Sequence, residues 1–315
     1  MRFFRGGLAM ALLGAAVCGC AVTDWAVRQR LGEAAPVATA TPAPTAKDAK
    51  DAELPADARE LYLESLRQQA LQPTVHLVHE YYRQKKFYPG GSRSVVVSRF
   101  DYGTKAVHLE NSQVTVAGGK TWTAWSTWCL DGSEDWFWTR EVGWSLRSSS
   151  GCPSLPSQAW LNDGLGVGGL TEEQADVFVG KLREWTGLIT ARGMSVVKRD
   201  GKPYVRLEIR VRPVRFGGGR PVGAGLYHDA FKHTELDGIA HPYGLLAGGG
   251  SAMDIVRYID PETRLPVYSE TRETGSGAWR MHRVEYEFGR PVGESARPAK
   301  PGIARLRWQP EGAVM

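Results

Sequence analysis

The residues of this 315-residue chain with chemistry to offer are its histidines, carboxylates, cysteines and tryptophans. His228, Asp229, His233, Asp237 and His241 lie between two glycine triplets, Gly217-Gly218-Gly219 and Gly248-Gly249-Gly250. Such residues can build a metal or acid–base site, but their spacing matches no zinc pattern, and a polar loop is the simpler reading. Neither triplet continues into the Gly-Lys-Ser/Thr of a phosphate loop. Gly164-Leu-Gly166-Val-Gly168-Gly169 matches G-x-G-x-x-G ahead of a helix, yet no strand pattern precedes it, as a dinucleotide fingerprint requires. His76 and His79 stand in the order H-x-x-H-E, which is no metalloprotease order, and on a strand residues three apart point to opposite faces. A nucleophile elbow, G-x-S-x-G, is absent from the sequence. The reading is therefore a non-enzyme, with no catalytic residue, no cofactor and no metal.

Tryptophan is the most unevenly distributed residue. Six of the eleven fall in one short segment: Trp122, Trp125, Trp128, Trp136, Trp138 and Trp144. Trp136 and Trp138 are two apart, so on a strand they share a face. Core packing, an aromatic lining for a lipid cavity and a stacking platform for a sugar ring all fit this pattern.

The N-terminus carries chemistry of another kind. Arg2 and Arg5 precede the short apolar run Leu8–Val17, the layout of an export signal. Val17-Cys18-Gly19-Cys20 then resembles the bacterial lipobox, with an aliphatic residue three before Cys20 and a small one just before it. Residues 1–20 are thus expected to be a lipoprotein signal peptide and Cys20 the lipidated residue, anchored by acyl chains such as palmitate. The alternative is an ordinary secretory signal that removes both cysteines. Residues 21–53 are rich in Ala, Pro and Thr and have no apolar period, which predicts a flexible tether. Export permits a disulfide between Cys129 and Cys152, the other reading being two buried thiols.

Positioning these residues requires an ordinary globular domain, since 42% of the chain is hydrophobic and 23% charged. No apolar run is long enough to span a bilayer. The net charge of +5, without any basic run, argues against nucleic acid. Asp57 with Glu60 predicts a helix over 56–71; Thr171 with Gln174 predicts a second, with Phe178, Leu182, Trp185 and Ile189 along one stripe. Val205, Leu207, Ile209 and Val211 alternate with charged residues in a half-buried strand at 204–212. Residues 253–272 read as a hairpin turning at Asp260-Pro261-Glu262-Thr263, and Val284, Tyr286 and Phe288 mark a later strand. Weaker strands are expected at 74–82, 94–102, 105–110, 113–117 and 134–142. Short connections between consecutive strands give an antiparallel sheet and an α+β class. One ligand-binding domain is expected over 54–298, with a Gly-rich insertion at 215–250 and a C-terminal tail at 299–315.

Several segments together resemble a known family. They are Glu64-Ser65-Leu66-Arg67, Thr74-Val75-His76-Leu77, Phe100-Asp101-Tyr102-Gly103 and Gly201-Lys202-Pro203-Tyr204, then Ile259–Pro266 and the closing Tyr286–Val292. The order is similar to that of the LppX/LprG-type envelope lipoproteins, relatives of the LolA/LolB lipoprotein carriers, over roughly residues 58–293. The resemblance implies a strongly curved antiparallel sheet, a half-barrel closed by helices over an apolar cavity that holds acyl chains. The Gly-rich loop would then stand as a lid at the cavity mouth. The Trp-rich segment, the cysteine pair and the Gly-rich stretch depart from that pattern.

The expectation is a lipid-anchored, extracytoplasmic, monomeric protein of the cell envelope. It would bind or transport a lipid or lipoglycan by sequestering its acyl chains. By alternation alone, Val205, Leu207, Ile209, Val211, Trp136, Trp138, Val284, Tyr286 and Phe288 are the candidate cavity lining. A carbohydrate or cell-wall binding module using the tryptophans is the alternative, and a hydrolase with a site in 228–241 is a third reading.

Overall fold

The computed structural model describes residues 57–88, 91–104, 106–115, 120–130, 134–148, 168–213, 230, 252–274 and 279–290. The chain divides into two units, Met1–Pro42 and Ala43–Met315, and every described residue belongs to the second. The expected signal segment with Cys20, the expected tether, Cys152, the histidines at 228–241 and the expected C-terminal tail lie outside the described residues.

Asp57 caps the first helix, α1 (Ala58–Ala70), by accepting a hydrogen bond from the Arg59 amide at 2.7 Å. The reciprocal Glu60 bond of a capping box gives way to ion pairs, because the Glu60 carboxylate meets Arg59 at 3.0 Å and Arg183 at 2.9 Å. At the second helix, α2 (Glu172–Glu184), Thr171 and Gln174 form both bonds of the box. Here the expected stripe ends early. Trp185 is the C-cap, Gly187 takes φ +82° and Ile189 opens a strand, so Ile189 reaches the same core from the sheet.

The strands are β1 (Thr74–Tyr82), β2 (Arg93–Asp101), β3 (Ala106–Thr115), β4 (Lys120–Leu130), β5 (Glu134–Thr139) and β6 (Gly143–Ser148), then β7 (Ile189–Arg199), β8 (Lys202–Val211), β9 (Ala252–Ile259), β10 (Pro266–Thr274) and β11 (Arg280–Phe288). They form one eleven-stranded sheet in the order β6-β5-β4-β3-β2-β1-β11-β10-β9-β8-β7. Every recorded pairing is antiparallel, the sheet does not close into a barrel, and β6 and β7 are its edges. A twisted sheet of this width curls. Two meanders, β1–β6 and β7–β11, join where β1 pairs with β11. The class is α+β, as the sequence predicts.

Three of the predicted strand segments change. The segments 105–110 and 113–117 are one strand, β3, and 134–142 shortens to β5, which ends at Thr139, with β6 beyond it as a strand of its own. Strands β4 and β7 escape a period-two reading. In β4 the tryptophans are spaced by three, with a register shift opposite Asn111/Ser112; β7 carries a shift at Ala191/Gly193 that breaks its alternation.

The Ile259–Pro266 segment is a turn held by the side chains of Asp260, Thr263 and Arg264. Asp260 Oδ1 accepts from the amides of Glu262 (2.8 Å) and Thr263 (3.0 Å), and Arg264 completes the turn at φ +61°. A second tight passage precedes α2. Gly169 donates to Gln72 O at 2.8 Å and lies so close to Tyr102 that a Cβ would stand 2.4 Å from its Cβ; its φ is +70°. At Gly168 a Cβ would meet Tyr102, Val75 and the Gln72 carbonyl, all under 3.0 Å. These two glycines serve close packing; Gly164 and Gly166 of the G-x-G-x-x-G match lie outside the described residues.

Candidate functional site

Residues paired across antiparallel strands share a face, so the register sorts the described side chains of the sheet. Leu207 lies opposite Arg257, Arg257 opposite Ser269, Ser269 opposite Val284 and Val284 opposite His79. In the next strands Leu77 pairs with Ser98, Ser98 with Leu109 and Leu109 with Thr127. This is the face that carries the helices. Val205, Leu207, Ile209 and Val211, at most 1% exposed, pack there with Leu61, Tyr62, Leu66, Phe178 and Leu182. Val284, Tyr286 and Phe288 form a second apolar cluster with Val75, Leu77, Phe100 and Cys129.

Trp136 and Trp138 share a face, but it is the opposite one. Trp136 pairs with Trp128, which pairs with His108 and, through it, with Arg99 and His76. The nine residues chosen by alternation therefore divide into seven on the helix side and two on the outer side. Trp128 and Trp138 are buried, while Trp136 and Trp144 are half-buried, and Trp136 Nε1 donates to Glu134 at 2.8 Å. The side chains of Trp122 and Trp125 lie outside the description.

The outer face also buries a charged network at its centre. Glu80 accepts from Arg93 Nε (2.9 Å), Arg283 Nη1 (3.0 Å) and Tyr82 OH (2.9 Å). Arg283 Nε donates to Tyr268 OH at 2.9 Å, and Tyr268 OH donates to Glu270 at 2.6 Å. Burial pushes the Tyr268 phenol far up, and Glu270 adds to this. Every member has a partner, so this group joins β1, β2, β10 and β11. Further along, Asp254 holds Arg192 (3.2 Å), Arg210 (2.6 Å) and Arg272 (2.9 Å). Burial raises the Asp254 carboxyl, and hydrogen bonds from Arg272 and Arg210 outweigh it and hold the group below its usual range.

On the helix-side face polar groups are buried among apolar ones, and several have atoms without a hydrogen-bond partner among the described residues: Arg257 Nε and Nη1, His79 Nδ1, Ser98 Oγ and Thr127 Oγ1; the outer face has such atoms as well, His76 Nε2, Trp128 Nε1 and Arg210 Nε among them. Ser65 Oγ, on the α1 face that packs against the helix side of the sheet, is another. His79 does meet His282, Nε2 to Nδ1 at 2.8 Å, with Tyr81 stacked on His282. His76 turns outward to Glu287 at 3.0 Å, as residues three apart on a strand must.

Alternation in the sequence already held the signal for these residues. Arg257 falls in phase with Met253, Ile255 and Ile259, His79 with Val75 and Leu77, and His282 with Val284, Tyr286 and Phe288. A polar residue in the apolar phase of a strand is the departure worth marking. Among the described residues no three His, Cys, Asp or Glu side chains gather as a metal site would require, and no helix is long and apolar enough to cross a membrane.

Among solved structures, the chain is similar to the Mycobacterium tuberculosis lipoprotein LppX, at 11% identity and TM-score 0.37, over 75% of this chain and 97% of that one. LprF from Mycobacterium bovis gives 12% identity and TM-score 0.40, over 76% and 96%. The MucA/MucB complex of Pseudomonas aeruginosa gives 15% and 0.33, over 82% of this chain and 68% of that one. No family model and no curated protein matches the chain. LppX and LprF belong to the group that the sequence resembles, and at this identity and score the likeness assigns no ligand.

Proposed function

We propose that this protein is a lipoprotein anchored through Cys20 on the extracytoplasmic face of the cell envelope, where it carries an amphiphile as a monomer without catalysing a reaction. One observation supports the carrier reading above the rest. Buried polar atoms without partners are interspersed with apolar side chains on the helix-side face. A core with a purely structural task satisfies its polar atoms, and each orphan costs roughly 1–3 kcal/mol. An amphiphile has a use for both kinds of surface. Val75, Leu77, Phe100, Val284, Tyr286 and Phe288 suit an acyl chain, which gains about 0.8 kcal/mol per buried CH₂. The four residues of β8 support this surface from beneath the helices.

Burial of Trp128 and Trp138 weighs against a sugar platform, because stacking needs an open ring face. In the carrier reading the cysteines Cys129 and Cys152 form a disulfide that ties β4 to the segment following β6.

Organic extraction of the protein purified from its envelope, followed by mass spectrometry, tests this function. A co-purified lipid, and saturable uptake of a fluorescent fatty acid by the delipidated protein, are the expected results. Neither lipid nor uptake would overturn the proposal.

A further inference from the structure

We infer that the amphiphile carries an anionic headgroup and that Arg257 receives it; this rests on the carrier reading above. Arg257 is 0% exposed, one of the largest side chains to be fully buried. Its Nη2 donates to Gln69 Oε1 at 2.6 Å, and the guanidinium lies 5.4 Å from the Tyr62 ring centre and 5.6 Å from that of Tyr286. Nε and Nη1 are buried and donate to nothing among the described residues, and no described carboxylate pairs with the group. Every other deeply buried arginine of the sheet has its anion: Arg283, at 4% exposure, pairs with Glu80.

Chemistry leaves Arg257 few ways to settle this alone. A guanidinium cannot lose its charge in a protein. A buried, unpaired ion costs several kcal/mol. The two tyrosine faces return part of that through cation–π attraction, but they fill neither N–H. Gln69 is neutral. The missing partner is an anion.

The surroundings fit a headgroup at the end of an acyl chain. On one side Ser65 Oγ, one turn before Gln69 on α1, also lacks a partner. On the other, Ser269 stands opposite Arg257 in β10, and its hydroxyl meets Tyr286 OH at 3.2 Å. Tyr286 belongs at the same time to the apolar cluster with Val75, Leu77 and Val284. A donor-rich end thus adjoins an apolar surface, in the order that a carboxylate or phosphate on a hydrocarbon tail demands. Because Arg257 is wholly covered, the headgroup reaches it when α1 shifts from the sheet, exchanging the Gln69 bond for the anion.

The test uses the delipidated full-length chain and three ligands of one chain length: palmitate, hexadecyl phosphate and hexadecanol. Affinities are read at mildly alkaline pH by displacement of an uncharged fluorescent probe. At least one anion should bind about tenfold or more tightly than hexadecanol, as a charge-assisted hydrogen bond would give. The tighter of the two identifies the headgroup as carboxylate or phosphate. Arg257→Met should bring all three within about twofold of one another, with hexadecanol unchanged, and Arg257→Lys should keep part of the preference. Should Arg257→Met not fold, the lysine variant still reports, since a point charge without the planar donors should weaken the anions and spare the alcohol. Equal binding of all three by the wild type, or a preference that survives Arg257→Met, would overturn the inference and leave the carrier reading standing. Binding of none of the three would remove the carrier reading and the inference with it.

Discussion

His79 and His282 meet across the β1–β11 junction as diagonal neighbours, Nε2 to Nδ1 at 2.8 Å, with ring centres 5.0 Å apart and planes at 14°. Burial pushes His79 down to about 4. Burial, with His79 and Arg280 nearby, also holds His282 well below its ordinary value. Both rings are therefore neutral at neutral pH, one donating to the other. The unfolded chain takes up protons below its value of 6.5, which the folded chain refuses until far lower. Stability is thus present above 6.5 and falls with pH towards about 4, by up to about 1.4 kcal/mol per pH unit for each ring. Urea unfolding followed across that range should show the slope, and His282→Gln should flatten it. An unfolding midpoint independent of pH would refute the assignment.

The outer-face network makes a different prediction. Arg283→Met leaves Glu80 buried with only Arg93 and Tyr82 as its recorded partners, at a cost of about 3 kcal/mol. Paired with Glu80→Gln in a double-mutant cycle, the loss should be strongly non-additive. Additive losses would show that the two side chains do not act together.

Gly169→Ala should be among the most damaging single substitutions. The new Cβ would meet Tyr102 at 2.4 Å, in a backbone conformation of φ +70°. A loss of about 2 kcal/mol or more is expected in denaturant unfolding. Gly201, with φ +78° but nothing within 4 Å, serves as the control and should lose less.

Face assignment separates Trp136 and Trp138 from the surface proposed to take the amphiphile. Trp138→Ala should cost about 3 kcal/mol or more of stability, since its ring is buried, while sparing amphiphile uptake in the folded fraction. Val284→Ala or Phe288→Ala should reduce uptake instead. Uptake that vanished with Trp138 alone would place the ligand on the outer face.

Anchoring and oxidation are read on the protein from its native envelope. Cys20→Ser should move it from the membrane to the soluble fraction and remove the acyl mass. The unreduced protein should be lighter than its reduced form by the two thiol hydrogens of Cys129 and Cys152. A soluble wild type would remove the anchor from the proposal.

Much of the fold was legible because alternation and capping are local. Strand β1 begins and ends where its pattern predicts, and the Thr171–Gln174 box opens α2. The register shifts beside β4 and β7 hid those strands, since one displaced residue inverts the phase that follows. Which face each strand turns to the helices is a matter of pairing. Trp136 and Trp138 could be placed together from their spacing, but their separation from Val205 and Tyr286 passes through the registers of several strand pairs. Arg257 was visible as a polar residue in an apolar phase; that it lacks a counter-ion depends on α1, β10 and β11, which only the folded chain assembles.

The β1–β11 seam has a consequence in time. Val75 pairs with Phe288, so the centre of the sheet closes between strands made at opposite ends of the domain. Contacts of such sequence separation form late and slowly. The strands β1–β6 can meander together as they emerge, but β1 keeps an open, aggregation-prone edge until the last strand arrives. A truncation before Arg280 would therefore leave two half-sheets with no common middle.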